Sequence, residues 1–314
     1  MNVGIFTDTY LPTVNGVVTS VTTLKEKLEN MGHEVFIITV KGDKISTNEE
    51  NVIRIPGIKF PNLPEHKIAM FYSYKLINKI KKLKLDIIHT QTEFSAGLFG
   101  RFISKVYDIP VVHTYHTMYE DYVHYLTGGK MRKIASKLAK KMSRLYCKNC
   151  DRLIAPSQKT KEALKSYGLN RDIDIIPTGI NLNNFKRTSN KEEIQKIRKE
   201  LDINKDIPTI LYIGRLAKEK SIDLIIKNMS SLLEKIPESK FLIIGNGPEK
   251  SNLQRLSEKL ALEDNIIFAG EKPWKEIHKY YELGDIFVNA STTETQGLTF
   301  IEAMASGLPV IARY

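Results

Sequence analysis

Short apolar runs alternate along the chain with longer segments in which apolar positions recur at helical spacing. The short runs predict strands at residues 3–6, 35–38, 87–88, 111–112, 153–155 and 173–176, and the longer segments predict helices at 16–30, 68–83, 96–106 and 157–167. Because parallel strands need crossover helices between them, the alternation predicts an α/β fold built on an open, doubly wound sheet.

A second region of the same kind follows a polar, turn-rich stretch. The alternation restarts with predicted strands at 209–213, 241–244, 266–268, 286–289 and 310–312. We therefore predict a first domain at 1–176, a linker at 177–190 and a second α/β domain at 191–314. Since no helix follows the strand at 310–312, we expect the second domain to be truncated at its C-terminus.

The composition excludes several protein classes. At 314 residues, with 42% hydrophobic and 26% charged side chains, the chain is globular and too long for one ordinary core. No apolar run approaches the roughly 20 residues that cross a bilayer, and no basic segment precedes the first apolar run, so we expect a cytoplasmic protein. Cys147 and Cys150 form a lone C-x-x-C, which predicts reduced thiols, with redox or metal chemistry as the minor alternative.

The positive charge is concentrated in the first half of the chain. Residues 1–150 contain 22 basic and 13 acidic side chains, an excess of +9, whereas residues 151–314 contain 25 and 23, an excess of +2. A basic half attracts nucleic acid, anionic lipid headgroups or a phosphorylated substrate, and charge alone does not choose between them.

Residues 130–148 have the pattern of a basic amphipathic helix. No acidic residue lies between Gly129 and Asn149, and eight residues are basic: Lys130, Arg132, Lys133, Lys137, Lys140, Lys141, Arg144 and Lys148. The apolar residues at helical spacing are Met131, Ile134, Ala135, Leu138, Met142 and Leu145. The pattern predicts a helix that lies on an anionic membrane surface. The alternative is a packed helix with a solvated charged face.

Two loops of the first domain contain candidate site residues, because ligands of open α/β sheets bind beyond the carboxyl ends of the strands. Gly16 is predicted to begin a helix, where a phosphate can approach free backbone N–H groups, although it could be a simple helix start. No G-x-G-x-x-G follows this strand, which argues against a dinucleotide enzyme. His116 could donate to a hydroxyl or to a developing anion; the alternative is a partly buried histidine bonded to backbone.

Two loops of the second domain contain charged groups in suggestive positions. Arg215 directly follows a predicted strand and Lys220 lies five residues further on, an arrangement that could bind a diphosphate without a metal or could be an ordinary basic turn. Glu294 precedes the glycine turn 297–299 and Glu302 lies eight residues later, inside the following helix. The helix start supplies unpaired N–H groups, although Glu302 could be a surface residue.

The Gly16 loop, the Gly214-Arg215-x4-Lys220 motif and the Glu294-x7-Glu302 motif, in this order, resemble those of the retaining glycosyltransferases with the GT-B fold, of the glycosyltransferase family 4 type. The resemblance covers essentially the whole chain. It implies two Rossmann-like domains facing a cleft, a nucleotide sugar bound mainly by the second domain, and transfer with retention at the anomeric carbon. It also implies that the reaction needs no metal and no cofactor other than the nucleotide-sugar co-substrate.

The resemblance assigns roles by position. It implies diphosphate contacts from Arg215 and Lys220, contacts to the donor sugar from Glu294, a ribose contact from Glu302, backbone donors at Gly297, Leu298 and Thr299, and His116 beside the transferred sugar. Ser221 follows the lysine where the family often has glycine, which leaves the lysine itself in place.

Residues 4–10 with 15–17, and residues 115–125, resemble bacterial diacylglycerol glucosyltransferases. This implies transfer of glucose from UDP-glucose to 1,2-diacylglycerol at the inner face of the cell membrane. A soluble sugar or polyol, or another lipid such as a phosphoinositide, stays open as the acceptor. A nucleic-acid-binding protein is the remote alternative, and we expect no nucleic-acid partner because the basic residues are not interleaved with a stacking platform.

Overall fold

The computed structural model describes residues 1–13, 15–42, 49–60, 63–69, 73–118, 132–185 and 190–313. Contacts divide the chain into two compact units, residues 1–180 and 181–314. Each unit has its own parallel sheet with helices, so the predicted pair of doubly wound α/β sheets is confirmed. The limits of the linker at 177–190 stay a prediction.

The first unit is built on a seven-stranded parallel sheet in the order β3-β2-β1-β6-β7-β8-β9. Its strands are β1 (Asn2–Thr7), β2 (Glu34–Val40), β3 (Val52–Ile55), β6 (Ile87–Thr90), β7 (Val111–Thr114), β8 (Arg152–Ala155) and β9 (Asp174–Ile175). A separate antiparallel hairpin is formed by β4 (Gly57–Phe60) and β5 (Leu63–Ala69).

Helices cover both faces of this sheet. They are α1 (Gly16–Asn30), α2 (Tyr74–Lys82), α3 (Ser95–Tyr107), α4 (Arg132–Lys148) and α5 (Gln158–Ser166). Successive side chains of a strand point to opposite faces. Accordingly, Ile5 of β1 packs with Val21 of α1, whereas the adjacent Phe6 packs with Ile80 of α2 and Phe99 of α3. The core therefore lies on both sides of the sheet.

One predicted helix is partly wrong. The segment 68–83 was predicted as a single helix, but Ile68 lies in β5 and pairs with Ile58 of β4, and helix α2 begins only at Tyr74. Short apolar runs do not distinguish a strand from a helix by periodicity alone. The same limitation explains why β3 and β4 were not predicted.

Helices α3 and α4 are joined by a close contact at Gly97. A Cβ atom at Gly97 would lie 1.8 Å from the Thr92 carbonyl oxygen and 2.5 Å from the Tyr146 hydroxyl. Tyr146 of α4 donates a hydrogen bond to that same carbonyl at 3.1 Å, and the guanidinium carbon of Arg101 lies 3.5 Å from the centre of its ring. The glycine is therefore required for α4 to pack against the start of α3.

The second unit has a five-stranded parallel sheet in the order β12-β11-β10-β13-β14. The strands are β10 (Thr209–Ile213), β11 (Lys240–Ile244), β12 (Ile266–Gly270), β13 (Ile286–Asn289) and β14 (Val310–Ala312). The helices are α6 (Lys191–Glu200), α7 (Ile222–Leu233), α8 (Lys250–Lys259), α9 (Ile277–Tyr281) and α10 (Leu298–Ala305). Short 3-10 helices lie at Leu182–Phe185, Lys218–Lys220 and Trp274–Glu276.

Each sheet has a point at which the strand order reverses. In the first unit the chain runs outward from β1 to β2 and β3 on one side and from β6 to β9 on the other, and in the second it reverses between β10 and β13. Crevices for ligands form at the carboxyl ends of the strands at such a reversal. The loops after β1, β6, β10 and β13 are therefore the candidate binding loops.

Candidate functional site

The loop after β10 places two cations at the reversal point of the second sheet. Arg215 lies two residues beyond the end of β10, and its carbonyl oxygen accepts a hydrogen bond at 3.0 Å from the hydroxyl of the buried Tyr212. Lys220 ends the short 3-10 helix Lys218–Lys220, two residues before α7. Both predicted diphosphate ligands therefore lie at the carboxyl edge of the sheet.

The residue after the lysine has a left-handed backbone. Ser221 has φ of +49° and ψ of +38°, a conformation that glycine adopts without cost and that costs other residues roughly 1–2 kcal/mol. This backbone explains why glycine suits the position. The serine retains the turn that carries Lys220 into the loop.

An ion pair links the two candidate loops of the second unit. Lys220 Nζ lies 2.6 Å from Glu294 Oε1, and the two side chains are only 18% and 22% exposed. Because β10 and β13 are parallel neighbours, the loops that follow them meet at one edge although the two residues are 74 positions apart. The lysine predicted to bind diphosphate and the glutamate predicted to bind sugar are in direct contact.

The start of α10 supplies backbone donors at the same edge. Gly297 is the N-cap, with φ of +74°, and a Cβ at this position would lie 2.5 Å from the ring of Phe300. Glycine is therefore required both by the backbone and by the packing. The N–H groups of Gly297, Leu298 and Thr299 donate no hydrogen bond to the described residues, which leaves them available to an anion.

Glu302 is buried inside α10 rather than on the surface. It is 2% exposed, and its Oε2 accepts a hydrogen bond at 2.7 Å from the hydroxyl of Tyr281. Burial raises the pKa of Glu302 to about 7, and the hydrogen bond from Tyr281 opposes that rise. Its Oε1 accepts no hydrogen bond from the described part of the chain, so this oxygen remains available for a ligand.

His116 lies two residues beyond β7 in the first unit, and Gln91 fixes its ring. His116 Nε2 is 2.6 Å from Gln91 Oε1. A carboxamide oxygen only accepts, so Nε2 carries the ring proton and Nδ1 is left as an acceptor. Burial lowers the pKa of His116 to about 3, and the imidazole is therefore neutral at physiological pH. The partner of the ring is a glutamine side chain, not the backbone.

Further polar residues surround this edge that the sequence analysis did not identify. The buried His113 contacts Glu93 through Nε2 at 3.1 Å and the Thr90 hydroxyl through Nδ1 at 2.9 Å. Asp8, just beyond β1, accepts hydrogen bonds from the Ser95 hydroxyl at 2.6 Å and the Ala96 N–H at 2.9 Å. Asp8 directly follows β1 and Glu93 lies three residues beyond β6, so the position after a strand end was the signal for both, whereas His113 lies within β7.

Gly16 begins α1 as predicted. The preceding Asn15 caps the helix, with its side-chain oxygen accepting from the Val18 N–H at 2.9 Å. Gly16 is exposed. The structure therefore confirms the predicted place of Gly16 in the chain, and its role toward a phosphate stays a prediction.

The basic helix α4 packs through an unexpected face. The residues that contact the core are the buried Ser143, Tyr146 and Cys147. The apolar residues that define the amphipathic pattern lie on the surface, 50–61% exposed: Ile134, Leu138, Met142 and Leu145. Lys137, Lys141, Arg144 and Lys148 are exposed beside them. Lys130 and Met131, and residues 119–125 of the resembling stretch, lie outside the described residues.

None of the helices in the described part of the chain has the length and apolar character that crossing a bilayer requires. The same residues contain no cluster of three or more His, Cys, Asp or Glu side chains arranged to hold a metal ion.

Comparison with known families gives matches over most of the chain. The model described as Glycosyltransferase Family 4 matches residues 14–184, and that described as Glycosyl transferases group 1 matches residues 193–313. Alpha-monoglucosyldiacylglycerol synthase of Streptococcus pneumoniae is 40% identical over 314 residues, which are 99% of this chain and 71% of that protein. The enzyme of the same name from Acholeplasma laidlawii is 41% identical over 322 residues, covering 100% of this chain and 80% of that protein.

Solved structures share the fold at low sequence identity. HepE of Anabaena in complex with UDP and glucose has a TM-score of 0.76 at 19% identity, covering 99% of this chain and 80% of that one. Sucrose-phosphate synthase from Thermosynechococcus elongatus has a TM-score of 0.74 at 22% identity, with the same coverage.

Titration of Glu302 should make stability depend on pH. In the unfolded chain the carboxyl ionises near pH 4.5, but in the folded protein it keeps its proton until about pH 7. The contribution of this shift to the free energy of unfolding is fully present below pH 4.5. It is lost as the pH rises to about 7, and the free energy of unfolding falls by roughly 3 kcal/mol. Urea unfolding of wild type and Glu302→Gln between pH 4.5 and 8 should show that loss only in wild type. As a control, Glu258→Gln on the surface should lose stability with rising pH in parallel with wild type. If Glu302→Gln also loses stability in parallel with wild type, the assignment is contradicted.

Proposed function

Because the chain belongs to glycosyltransferase family 4 and is an enzyme that transfers a sugar, we propose that it moves glucose from UDP-glucose to 1,2-diacylglycerol, with retention of the anomeric configuration and without a metal ion. The family assignment also confirms the predicted GT-B fold class. The observation that carries the proposal is the arrangement of Lys220, Glu294 and the start of α10 at the reversal point of the second sheet.

The donor and the acceptor are supported by different lines. The two relatives at 40–41% identity are named as glucosyldiacylglycerol synthases, and HepE was solved with UDP and glucose. The exposed apolar and basic face of α4 is an independent physical reason to expect a lipid acceptor. A soluble sugar or polyol as acceptor would leave that face without a role.

In the proposed reaction the bond between the anomeric carbon and the diphosphate breaks while the acceptor oxygen bonds to that carbon. The acceptor hydroxyl gives its proton to an oxygen of the departing diphosphate. The electron pair of the broken bond stays with UDP, so negative charge builds up on the diphosphate in the transition state. Arg215, Lys220 and the N–H groups at the start of α10 would stabilise that charge, which is the contribution that lowers the barrier. Glu302 would hold the ribose through Oε1 while Tyr281 orients the carboxylate.

The ion pair implies an exchange of partners when the donor binds. Without donor, Lys220 and Glu294 neutralise each other at 2.6 Å. A diphosphate carries more negative charge than one carboxylate and competes for the lysine. Glu294 is then released to accept hydrogen bonds from the donor sugar hydroxyls. Loading of the diphosphate and orientation of the sugar are thus coupled through one contact.

His116 would recognise a hydroxyl rather than a charge. The ring is neutral because burial lowers its pKa to about 3, and Gln91 holds the proton on Nε2. Nδ1 then accepts a hydrogen bond from a hydroxyl of the transferred sugar.

Membrane contact through α4 explains how a lipid acceptor is reached. Each basic group near an anionic surface contributes roughly 1 kcal/mol, and the exposed apolar residues add burial of apolar surface in the interface. We expect the enzyme to be peripheral on the inner face of the cell membrane.

A product assay tests the proposed function directly. The protein is incubated with diacylglycerol in anionic vesicles and with UDP-glucose, UDP-galactose or UDP-N-acetylglucosamine, and the lipid product is analysed by mass spectrometry and by NMR of the anomeric proton. We expect an α-glucosyl lipid from UDP-glucose, unchanged by chelators. Arg215→Ala should lower turnover about a hundredfold while the protein stays folded. Equal transfer to a soluble sugar without vesicles would contradict the lipid acceptor.

The exchange of partners predicts opposite effects of two substitutions on UDP binding. Lys220→Ala should weaken UDP binding about tenfold or more, because a charge-assisted contact is lost. Glu294→Gln should abolish most transfer yet leave UDP affinity equal or higher, because the competing carboxylate is removed. Calorimetry with UDP measures both, with Lys227→Ala on the exposed face of α7 as the control. Weaker UDP binding by Glu294→Gln would show that the glutamate supports the nucleotide instead.

Charge removal from α4 should release the protein from membranes. The variant with Lys137, Lys141, Arg144 and Lys148 all replaced by Gln should lose binding to anionic vesicles in co-sedimentation, and wild-type binding should fall as salt rises. The matched control replaces four exposed lysines of the second unit by Gln: Lys199, Lys205, Lys235 and Lys259. UDP affinity should be normal in both variants. Equal vesicle binding by both variants would mean that the α4 charges are only solvated.

A further inference from the structure

A second helix of the first unit also exposes a line of apolar side chains. On α3 and its N-cap, the residues at intervals of four are 47–54% exposed: Phe94, Leu98, Phe102 and Val106. Intervals of four keep side chains on one slowly turning face, and twelve residues of helix extend about 18 Å. We call these four residues the α3 stripe. Burying such side chains in apolar surroundings is favourable, so a stripe of this length indicates a contact surface.

The α3 stripe and the exposed face of α4 belong to the same side of the sheet. Helix α3 connects β6 to β7 and α4 connects β7 to β8, and both connections move in the same direction across neighbouring parallel strands. Right-handed crossovers place two such helices side by side on one face. Tyr146 of α4 confirms the neighbourhood, since it donates to the Thr92 carbonyl and stacks under Arg101.

The charges of the two helices select the kind of partner. Between Ser95 and Tyr107, α3 contains Arg101 and Lys105 and no acidic residue, and α4 contains only basic charged residues. A second copy of the chain placed on this face by a two-fold axis would oppose cations to cations, which is unfavourable. Because the charged residues within both helices are all basic, their exposed apolar surface fits a bilayer with anionic headgroups and apolar chains.

The α3 stripe begins beside the residues that orient His116. Phe94 lies three residues after Gln91, whose side chain accepts from His116 at 2.6 Å. From there the stripe runs along α3 away from the carboxyl edge of the sheet. An acceptor whose hydroxyl lies at that edge can keep its acyl chains against the stripe.

We propose that α3 and α4 form one bilayer-facing surface, that the α3 stripe inserts among the acyl chains, and that diacylglycerol reaches the carboxyl edge of the first sheet along it. This inference rests on the proposed function. The two helices contribute differently. The cations of α4 attract the protein to the bilayer surface from a distance. The α3 stripe determines how deeply the protein inserts and how the acceptor reaches it.

The depth of each helix can be measured with tryptophan reporters. The single tryptophan, Trp274, is replaced by Phe, and one new tryptophan is introduced as Phe102→Trp on the α3 stripe, Leu138→Trp on α4, or Met31→Trp at the end of α1 on the opposite face of the sheet. Fluorescence is recorded with anionic vesicles whose acyl chains carry bromine. We expect quenching of the first two reporters and none of the third.

A stripe variant tests access of the acceptor. The stripe variant combines Leu98→Gln, Phe102→Gln and Val106→Thr. It should lower transfer to diacylglycerol in vesicles at least tenfold, with UDP affinity and circular dichroism unchanged. The control is Met31→Gln. Quenching of Leu138→Trp but not of Phe102→Trp overturns the inference and leaves membrane contact by α4 intact. Normal transfer by the stripe variant also overturns it. A dimer in analytical ultracentrifugation that the stripe variant abolishes would assign the surface to a second copy instead.

Discussion

A cation and a carboxylate lie side by side at the reversal point of the second sheet, and that contact links the two loops that contain the candidate donor-binding residues. Lys220 follows β10 and Glu294 follows β13, and the parallel pairing of these strands brings the residues together. Either charge alone would lose much of its hydration, since each side chain is about four-fifths buried. The pair offsets this cost in the structure described. In the proposed exchange, a diphosphate replaces the carboxylate at Lys220, and the sugar hydroxyls then supply the hydrogen bonds that Glu294 needs.

The first sheet presents two neutral imidazoles near its corresponding edge. Burial lowers the pKa values of His89 and His116 to about 3, so both imidazoles are uncharged, and Gln91 determines which nitrogen of His116 holds the proton. Asp8 connects the end of β1 to the start of α3, because its carboxyl group accepts hydrogen bonds from Ser95 and Ala96. A neutral group held in one orientation recognises a hydroxyl through the direction of a hydrogen bond. A charged group binds phosphate through the greater strength of a charge-assisted hydrogen bond. The two sheets therefore differ in chemistry as well as in sequence.

Periodicity predicted most strands and the helices of the first unit because burial on a parallel sheet imposes it. Strand ends located Arg215, Lys220 and Glu294 in the loops that follow β10 and β13. Two features could not be obtained in this way. The contact between Lys220 and Glu294 depends on strand order, which local pattern does not encode. For α4, periodicity shows which residues share a face but not which face is packed, and the core contact comes from Ser143, Tyr146 and Cys147 rather than from the apolar series.

The packing of α4 also explains why an apolar series can remain on the surface of a stable domain. Gly97 allows Tyr146 to approach the start of α3, and that contact, together with the buried Cys147, anchors the helix without using Leu138 or Met142. Those side chains are then free of any role in the core. Exposed apolar surface carries a cost in water through association and aggregation, which the dense positive charge of the helix opposes by repulsion between copies. Under the proposed function, the same charge attracts an anionic bilayer. One composition then opposes self-association and also directs the protein to the surface that contains the proposed lipid acceptor.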